Sequence, residues 1–428
     1  MNVQTQIDPT NALVEQARKV LPGGSFGNMP AELVLKEGKG GRIWDEAGRE
    51  YVDFLLGSGP MFVGHAHPEV TAAVQAQVPL GTTFFGNNRH GIALAEAICD
   101  AVPCAEQVRF VCSGTEADLY AMRAARAFRR RDKILKFEGG YHGMSDYALM
   151  STSPKRPGNF PRATPDSAGI PKSVQDEMLI AAFNDIDMVE SLIEEQKDEL
   201  AGVIVEPFQR LIPPQPGFLQ ALRAVTAKHG IPLIFDEVVT GFRFAYGGAQ
   251  EYYGVTPDLC TLGKIVGGGF ALAAIAGRAD IMKHFDRLAV ADEDFIFQVG
   301  TLSGNPVAAV AGLATLDILK RPGTYDGVFA AGRELMGALD GLLKGAGIPA
   351  QVIGEPPLFD VIFTDQPIRD YRDTLKGDKE IAARFNQLLR ARGIMKGESK
   401  YYVSVAHDRA DLDHTIGAWT EAVRELKR

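Results

Sequence analysis

From about residue 105 the chain alternates short apolar strands with helices, and this alternation restricts the possible fold more than any other feature. QVRFVCS reads as a strand and TEADLYAMRAARAFRR as a long helix. KILKF then reads as a strand, VESLIEEQKDEL as a helix and AGVIVEP as a strand, followed by the glycine-closed helix GFLQALRAVTAKHG and the strand PLIFDE. Strands this apolar have no polar face to offer water, and strands joined through helices run mostly parallel. An α/β fold follows, with helices covering both faces of the sheet. Upstream, GRIWDEAGREYVDFLLG reads as a hairpin around a polar glycine turn, while HPEVTAAVQAQV and IALAEAICDAV carry helical apolar spacing. Beyond about residue 307 the helix VAAVAGLATLDILKR leads into a second α+β region, in which YYVSVAH reads as a strand. A chain of 428 residues, 46% of them hydrophobic, is long for one compact domain and suits one large and one small domain.

Charge and cysteine content narrow the function. Forty-five basic against 54 acidic residues give a net charge of −9, which offers no electrostatic attraction to nucleic acid or an anionic membrane. The start, MNVQTQIDPTNALVEQARKVLPGG, is polar and lacks a signal-peptide core, and no apolar run is long enough to span a bilayer. Cys99, Cys104, Cys112 and Cys260 show no metal-type pairing, and as reduced thiols they fit a cytoplasmic protein. His65 and His67 in GHAHP have a ligand-like spacing but no nearby acidic or cysteine cluster, so a loop or turn role is expected and no metal site.

Several short motifs can carry chemistry. In CSGTEADLYAMRAARA, Ser113, Gly114 and Thr115 stand where a strand gives way to a helix, and free N–H groups there favour an anion. The plainer alternative is an ordinary N-cap with a capping glutamate. Asp236 and Glu237 close the strand PLIFDE, at the end of a parallel sheet where ligands bind. A carboxylate there can hold a protonated ring nitrogen, or merely cap the next turn. Lys264, in CTLGKIVGGGF, sits among glycines that imply close backbone approach, and desolvation would make its amine a nucleophile towards an aldehyde. FEGGYHG offers Tyr141 to a planar ring, with a histidine beside it, and GTLSGNP offers Thr301 to a phosphate. Residues 151–172, rich in Pro, Gly and Ser, form a long loop of the kind that is functional or disordered.

Each motif is weak alone. In this order, FLLGSGPMFVGHAHP, RFVCSGTEA, KFEGGYHG, LIFDEVVTGFR, GGAQEYYGVTPDLCTLGKIVGGG and GTLSGNP closely resemble the class III aminotransferases, pyridoxal-phosphate enzymes of fold type I, and among them glutamate-1-semialdehyde aminomutase and its transaminase relatives. The resemblance runs from LPGG to VSVAHDRADLDHTI. It implies a seven-stranded, mostly parallel sheet in a large cofactor domain over 61–315, with 1–60 joining a small α+β domain over 316–428. It also implies a homodimer with composite active sites, acting on an amino donor and a keto-acid acceptor. By the resemblance, Lys264 forms the Schiff base with pyridoxal phosphate and shuttles a proton, Asp236 pairs with the pyridine nitrogen, and Tyr141 and Val238 cover opposite faces of the ring. Ser113, Gly114 and Thr115 bind the phosphate, Thr301 reaches the partner subunit's phosphate, and Glu206 and Gln209 lie near the cofactor's hydroxyl side.

The departures all fall on the substrate side. The aminomutase carries an arginine shortly after PGG that helps bind the substrate carboxylate, whereas this chain reads SFGNMPAELVLKEG, without arginine. Ser58 stands in place of a tryptophan, and Ser399-Lys400 where the aminomutase has glutamate, with Glu398 one place off. Lys400, Lys396, Arg156 and Arg162 are the cations available to compensate. The favoured reading is a ping-pong transaminase acting on an amine or a non-standard amino acid, such as a β-amino acid. The runner-up is an intramolecular aminomutase, supported by the 151–172 loop and opposed by the missing arginine. A non-catalytic cofactor-binding protein is disfavoured by the joint presence of Lys264, Asp236 and Tyr141.

Overall fold

The computed structural model describes residues 9–427; the first eight residues of the polar N-terminal stretch lie outside the described residues. Strands β1 (Leu35–Lys39), β2 (Arg42–Asp45) and β3 (Glu50–Asp53) form an antiparallel meander, in which β2 and β3 are the expected hairpin. The large sheet follows, from β4 (Gln107–Val111), β5 (Lys133–Phe137), β6 (Met178–Ala181), β7 (Leu200–Val205), β8 (Leu233–Glu237), β9 (Leu259–Leu262) and β10 (Ala273–Gly277). Its order is β4-β10-β9-β8-β7-β5-β6, and β10 runs opposite to the other six strands. Strand β6 and the reversed β10 are additions to the pattern legible in sequence. Strands β11 (Gln351–Glu355), β12 (Leu358–Ile362) and β14 (Tyr401–Tyr402) make a small sheet, and β13 (Ile394–Met395) adds in parallel to β3, so that the two ends of the chain share a sheet.

Burial explains why these strands hold the middle. Every residue of β6 to β10 is buried, including Leu233, Ile234 and Phe235 of β8 at 0% exposure. Each such side chain stabilises the fold by about 1.5–3 kcal/mol relative to water, which only a sheet covered on both faces can collect. The helix Gly114–Arg129 packs its alanine-rich face on the sheet. The predicted helix over VESLIEEQKDEL stops at Gln196, because Leu200 already belongs to β7. YYVSVAH is regular strand only over Tyr401–Tyr402. His65 Nε2 donates to the Asp53 carboxylate at 2.7 Å, and His67 occupies the N-cap position of the helix Pro68–Gln77 without a side-chain cap bond. No helix among the described residues is long and apolar enough to cross a membrane.

Candidate active site

The carboxyl ends of the parallel strands converge on one group of side chains. Asp236, on β8, is buried and points its Oδ2 at His142 Nδ1, 2.7 Å away. Its Oδ1 accepts from the Val238 N–H at 3.1 Å and lies 3.4 Å from the Thr261 hydroxyl, which also donates to Asp118 Oδ1 at 2.6 Å. Alternation along β8 sends Glu237 the other way: it accepts the N–H groups of Ala249 and Gln250 and the Thr240 hydroxyl. Of the two adjacent acids, Glu237 therefore takes the capping role and Asp236 faces the site.

Asp118, His142 and Asp236 bring one ligand-type atom each within 4.8 Å of one another. Burial, and then the charge of Asp236, hold the Asp118 carboxyl well above the usual carboxylate range. The Thr261 hydroxyl and the His142 ring tie the Asp118 and Asp236 carboxyls into one buried hydrogen-bonded network. Sequence reasoning assigned no role to Asp118 or His142; their signals were an acid on the buried face of an amphipathic helix and the histidine of FEGGYHG.

Lys264 begins a 3-10 turn directly after β9 and Gly263, with φ of 51°. Burial lowers its pKa, and the nearby cations Lys400 and Arg243 add to this against Tyr402 and Asp236. Its amine donates no hydrogen bond among the described residues. Val238 lies against two glycines: a Cβ on Gly114 would sit 3.0 Å from Val238 Cγ1, and one on Gly263 3.2 Å from it.

At the start of the helix Gly114–Arg129, Ser113 forms a complete capping box with Glu116, so the plainer expectation for Ser113 is realised. The N–H groups of Gly114 and Thr115 still lie in the first turn, where no intrahelical acceptor exists. Thr115 Oγ1 accepts the Met144 N–H at 3.1 Å, and Gly143 packs so closely that a Cβ there would lie 2.5 Å from Thr115 Cα. Tyr141 is 39% exposed; its N–H donates to Glu206 Oε2 at 2.9 Å, and the Arg210 guanidinium lies 5.5 Å from its ring centre. The loop carrying Tyr141 is fastened from below by buried Lys136, which donates to the carbonyls of Gly140, Ala148 and Met150 and to Thr152. Burial pushes the Lys136 pKa down to about 8. Gln209 is buried and donates to the Glu138 carbonyl at 2.7 Å.

The predicted residues thus converge, with one exception. Thr301 is exposed, its carbonyl accepts from Thr83 at 3.1 Å, and its hydroxyl donates no hydrogen bond among the described residues. The compensating cations divide. Lys396 is taken by Asp360 and Asn386, each at 3.0 Å, and Arg156 is exposed in the long loop. Lys400, by contrast, lies in the electrostatic neighbourhood of Arg210, Glu206, Arg243 and Asp236. Ser58 is exposed beside Gly59, where a Cβ would lie 2.8 Å from the Tyr402 ring.

The residues fit pyridoxal phosphate on grounds internal to this chain. His142 Nε2 and Gln209 Oε1 are buried without partners among the described residues, the first-turn amides are open, and Gly114, Gly143 and Gly263 allow close approaches that a Cβ would obstruct. A sheet of this order with an unpartnered lysine after β9 and a buried carboxylate ending β8 defines a pyridoxal-phosphate-dependent enzyme of fold type I. The profile of the family described as aminotransferase class-III matches residues 25–404, and the chain belongs to that family. It is a pyridoxal-phosphate-dependent aminotransferase.

Solved structures agree. An omega-transaminase from Sphaerobacter thermophilus is similar at 38% identity over 99% of both chains, with a TM-score of 0.93. A β-phenylalanine aminotransferase from Variovorax paradoxus is similar at 30% identity and a TM-score of 0.87, covering 97% of this chain and 94% of that one. A glutamate-1-semialdehyde aminomutase from Pseudomonas aeruginosa PAO1 shares the fold at 24% identity and a TM-score of 0.86, over 97% of this chain and 94% of that one.

Proposed function

We propose that this aminotransferase takes the amino group of an amine or a β-amino acid and passes it to a keto acid, with Lys264, Asp236 and Tyr141 as its central residues. The observation that carries the reading is the split described above. Asp236, His142, Thr261 and Asp118 form one buried hydrogen-bonded network, while the departures from the aminomutase pattern all fall, by the resemblance, on the substrate side. The relatives named omega-transaminase and β-phenylalanine aminotransferase support the substrate class.

Lys264 would hold the cofactor's aldehyde carbon, and Asp236, oriented by His142, its ring nitrogen. Val238 and Tyr141 would cover the two ring faces, and Glu206 and Gln209 would line the hydroxyl side. Ser113, Gly114 and Thr115 would hold the phosphate. When bound, the cofactor's protonated ring accepts the electron pair left when the carbon bearing nitrogen loses its proton. Released from the aldehyde carbon when the donor's amine takes its place there, the Lys264 amine, its pKa lowered by burial, would take that proton at Nζ and return it to the next acceptor position. Asp236 keeps the ring nitrogen charged throughout, because an opposite charge in a buried setting favours the protonated form.

The working unit in this reading is a homodimer with composite sites and a cytoplasmic location. Exposed Phe84 and Phe85, at 55% and 70%, follow Thr83, whose hydroxyl donates to the carbonyl of Thr301, itself next to exposed Leu302. An apolar edge of this kind beside Thr301 suits a second copy, which would bring Thr301 to the partner's phosphate. The reading also keeps residues 61–315 as the cofactor domain, with 1–60 and 316–428 as the smaller one. The test is nitrogen exchange: the purified enzyme should transfer an amino group from a separate donor to a keto acid. Isomerisation of glutamate-1-semialdehyde without an external acceptor would overturn the reading in favour of the aminomutase.

A further inference from the structure

We propose that Arg210 and Lys400 together anchor a substrate carboxylate, so that the amino donor is an amino acid rather than a simple amine, and the keto acid is held at the same place in the return half-reaction. This rests on the transaminase reading and supplies the anchor lost with the arginine after PGG.

Three observations carry it. Arg210 follows Gln209 directly beyond β7 and holds φ at 63°, a left-handed conformation in which an L side chain is strained and glycine is not. The strain is kept with the guanidinium lying above the Tyr141 ring. Second, the backbone that carries Lys400 is fixed by its neighbours and by a bridge to Gly397. Lys396 is fixed by its buried pair with Asp360, and Tyr401 stacks on Phe359 at 5.2 Å while accepting a hydrogen bond from Trp419 at 3.0 Å. The Lys400 ammonium lies 6.0 Å from the Tyr402 ring centre. Third, neither cation forms an ion pair or donates a side-chain hydrogen bond among the described residues.

The Arg210 guanidinium disfavours the charge of Lys400. Burial pushes Lys400 down to about 7, with Arg210 and Arg243 adding to this against Glu206 and Asp236. Packing brings the two segments together: Phe208 and Leu211, on either side of Gln209-Arg210, share one buried cluster with Tyr402, two residues beyond Lys400. Two cations so placed gain most from an anion between them, and an arginine fork with an ammonium matches the two oxygens of a carboxylate. Lys400 also acts on Lys264, so a carboxylate held there belongs to a molecule whose amino carbon can reach the chemistry.

The experiment uses the cofactor-loaded enzyme and compares β-phenylalanine with α-methylbenzylamine, its decarboxylated counterpart, as donors in single half-reactions. In Arg210→Gly, which relieves the backbone, and in Lys400→Met, the ratio of kcat/KM for the acid over the amine should fall about ten- to hundredfold, the loss of one charged hydrogen-bond partner. Hydrocinnamate, which lacks the amino group, should bind the wild type in a calorimetric titration and bind both variants correspondingly more weakly. A ratio unchanged within about twofold in both variants, or equal hydrocinnamate affinity in all three proteins, overturns the anchor. A wild type that moves nitrogen from neither donor defeats the transaminase reading instead, and the hydrocinnamate titration still decides the anchor.

Discussion

Replacing Asp236 by asparagine keeps the shape of the buried network and removes its charge. Asp236 is 4% exposed and 2.7 Å from His142, so solvent does little to screen it. An opposite charge at such range moves a partner's pKa by about 1–3 units, or roughly 1.4–4 kcal/mol. The protonated fraction of the cofactor's ring nitrogen should fall accordingly, and the rate of proton removal with it, by about ten- to a thousandfold. The burial places the expectation in the upper half of that range. Rapid-mixing measurement of the first half-reaction, followed by the visible band of the bound cofactor, reads the chemical step directly, and donor KM should change little. The neighbourhood adds a second signature. Burial first, and the charge of Asp236 second, raise the Asp118 pKa, so removing that charge lets Asp118 ionise at lower pH. The residual rate of Asp236→Asn should therefore rise with pH, and the double variant with Asp118→Asn should lose that rise. A single-variant rate within about fivefold of wild type would refute the assignment of Asp236 to the ring nitrogen.

Borohydride reduction of the loaded enzyme should fix the cofactor on the peptide containing Lys264, and label recovered on another lysine would contradict the site. Inactive Lys264→Ala mixed with Thr301→Val should regain activity in hybrid dimers, and fully active monomers in light scattering would exclude composite sites. Lys136→Met should lower the melting temperature by several degrees, because it strands the acceptors at Gly140, Ala148 and Met150 and the Thr152 hydroxyl. For Lys400, burial favours the neutral amine above about pH 7. Its charge is present below that pH and lost above it, so kcat/KM for β-phenylalanine should decline through neutral pH relative to α-methylbenzylamine; parallel profiles would count against a charged Lys400 at the substrate.

The parallel sheet and most of its ligand edge were legible because both are local patterns: apolar strand runs, glycines at close approaches and residues at strand ends. Strand β10 was not, since Ala273–Gly277 is too small-sided to read as a strand, and its antiparallel pairing with β4 and β9 is a long-range fact. Asp118, His142 and Thr261 come from three separate elements, and only the folded sheet makes them neighbours. Lys400 and Lys396 are indistinguishable as letters; Asp360, on β12, decides between them by claiming one. Arg210 carried no signal at all, because its left-handed backbone cannot be read from an arginine.

The groups that would do the chemistry hang on the edge of a buried sheet, while Arg210 and Lys400 arise from a connection after β7 and from a segment far along the chain. If Arg210 and Lys400 hold the substrate carboxylate, substrate choice can change at those two positions while the strand-borne groups stay as they are. Arg210 is the cheaper of the two to exchange, since a glycine there removes strain as it removes charge. A lineage built this way can change diet without relearning how to cook.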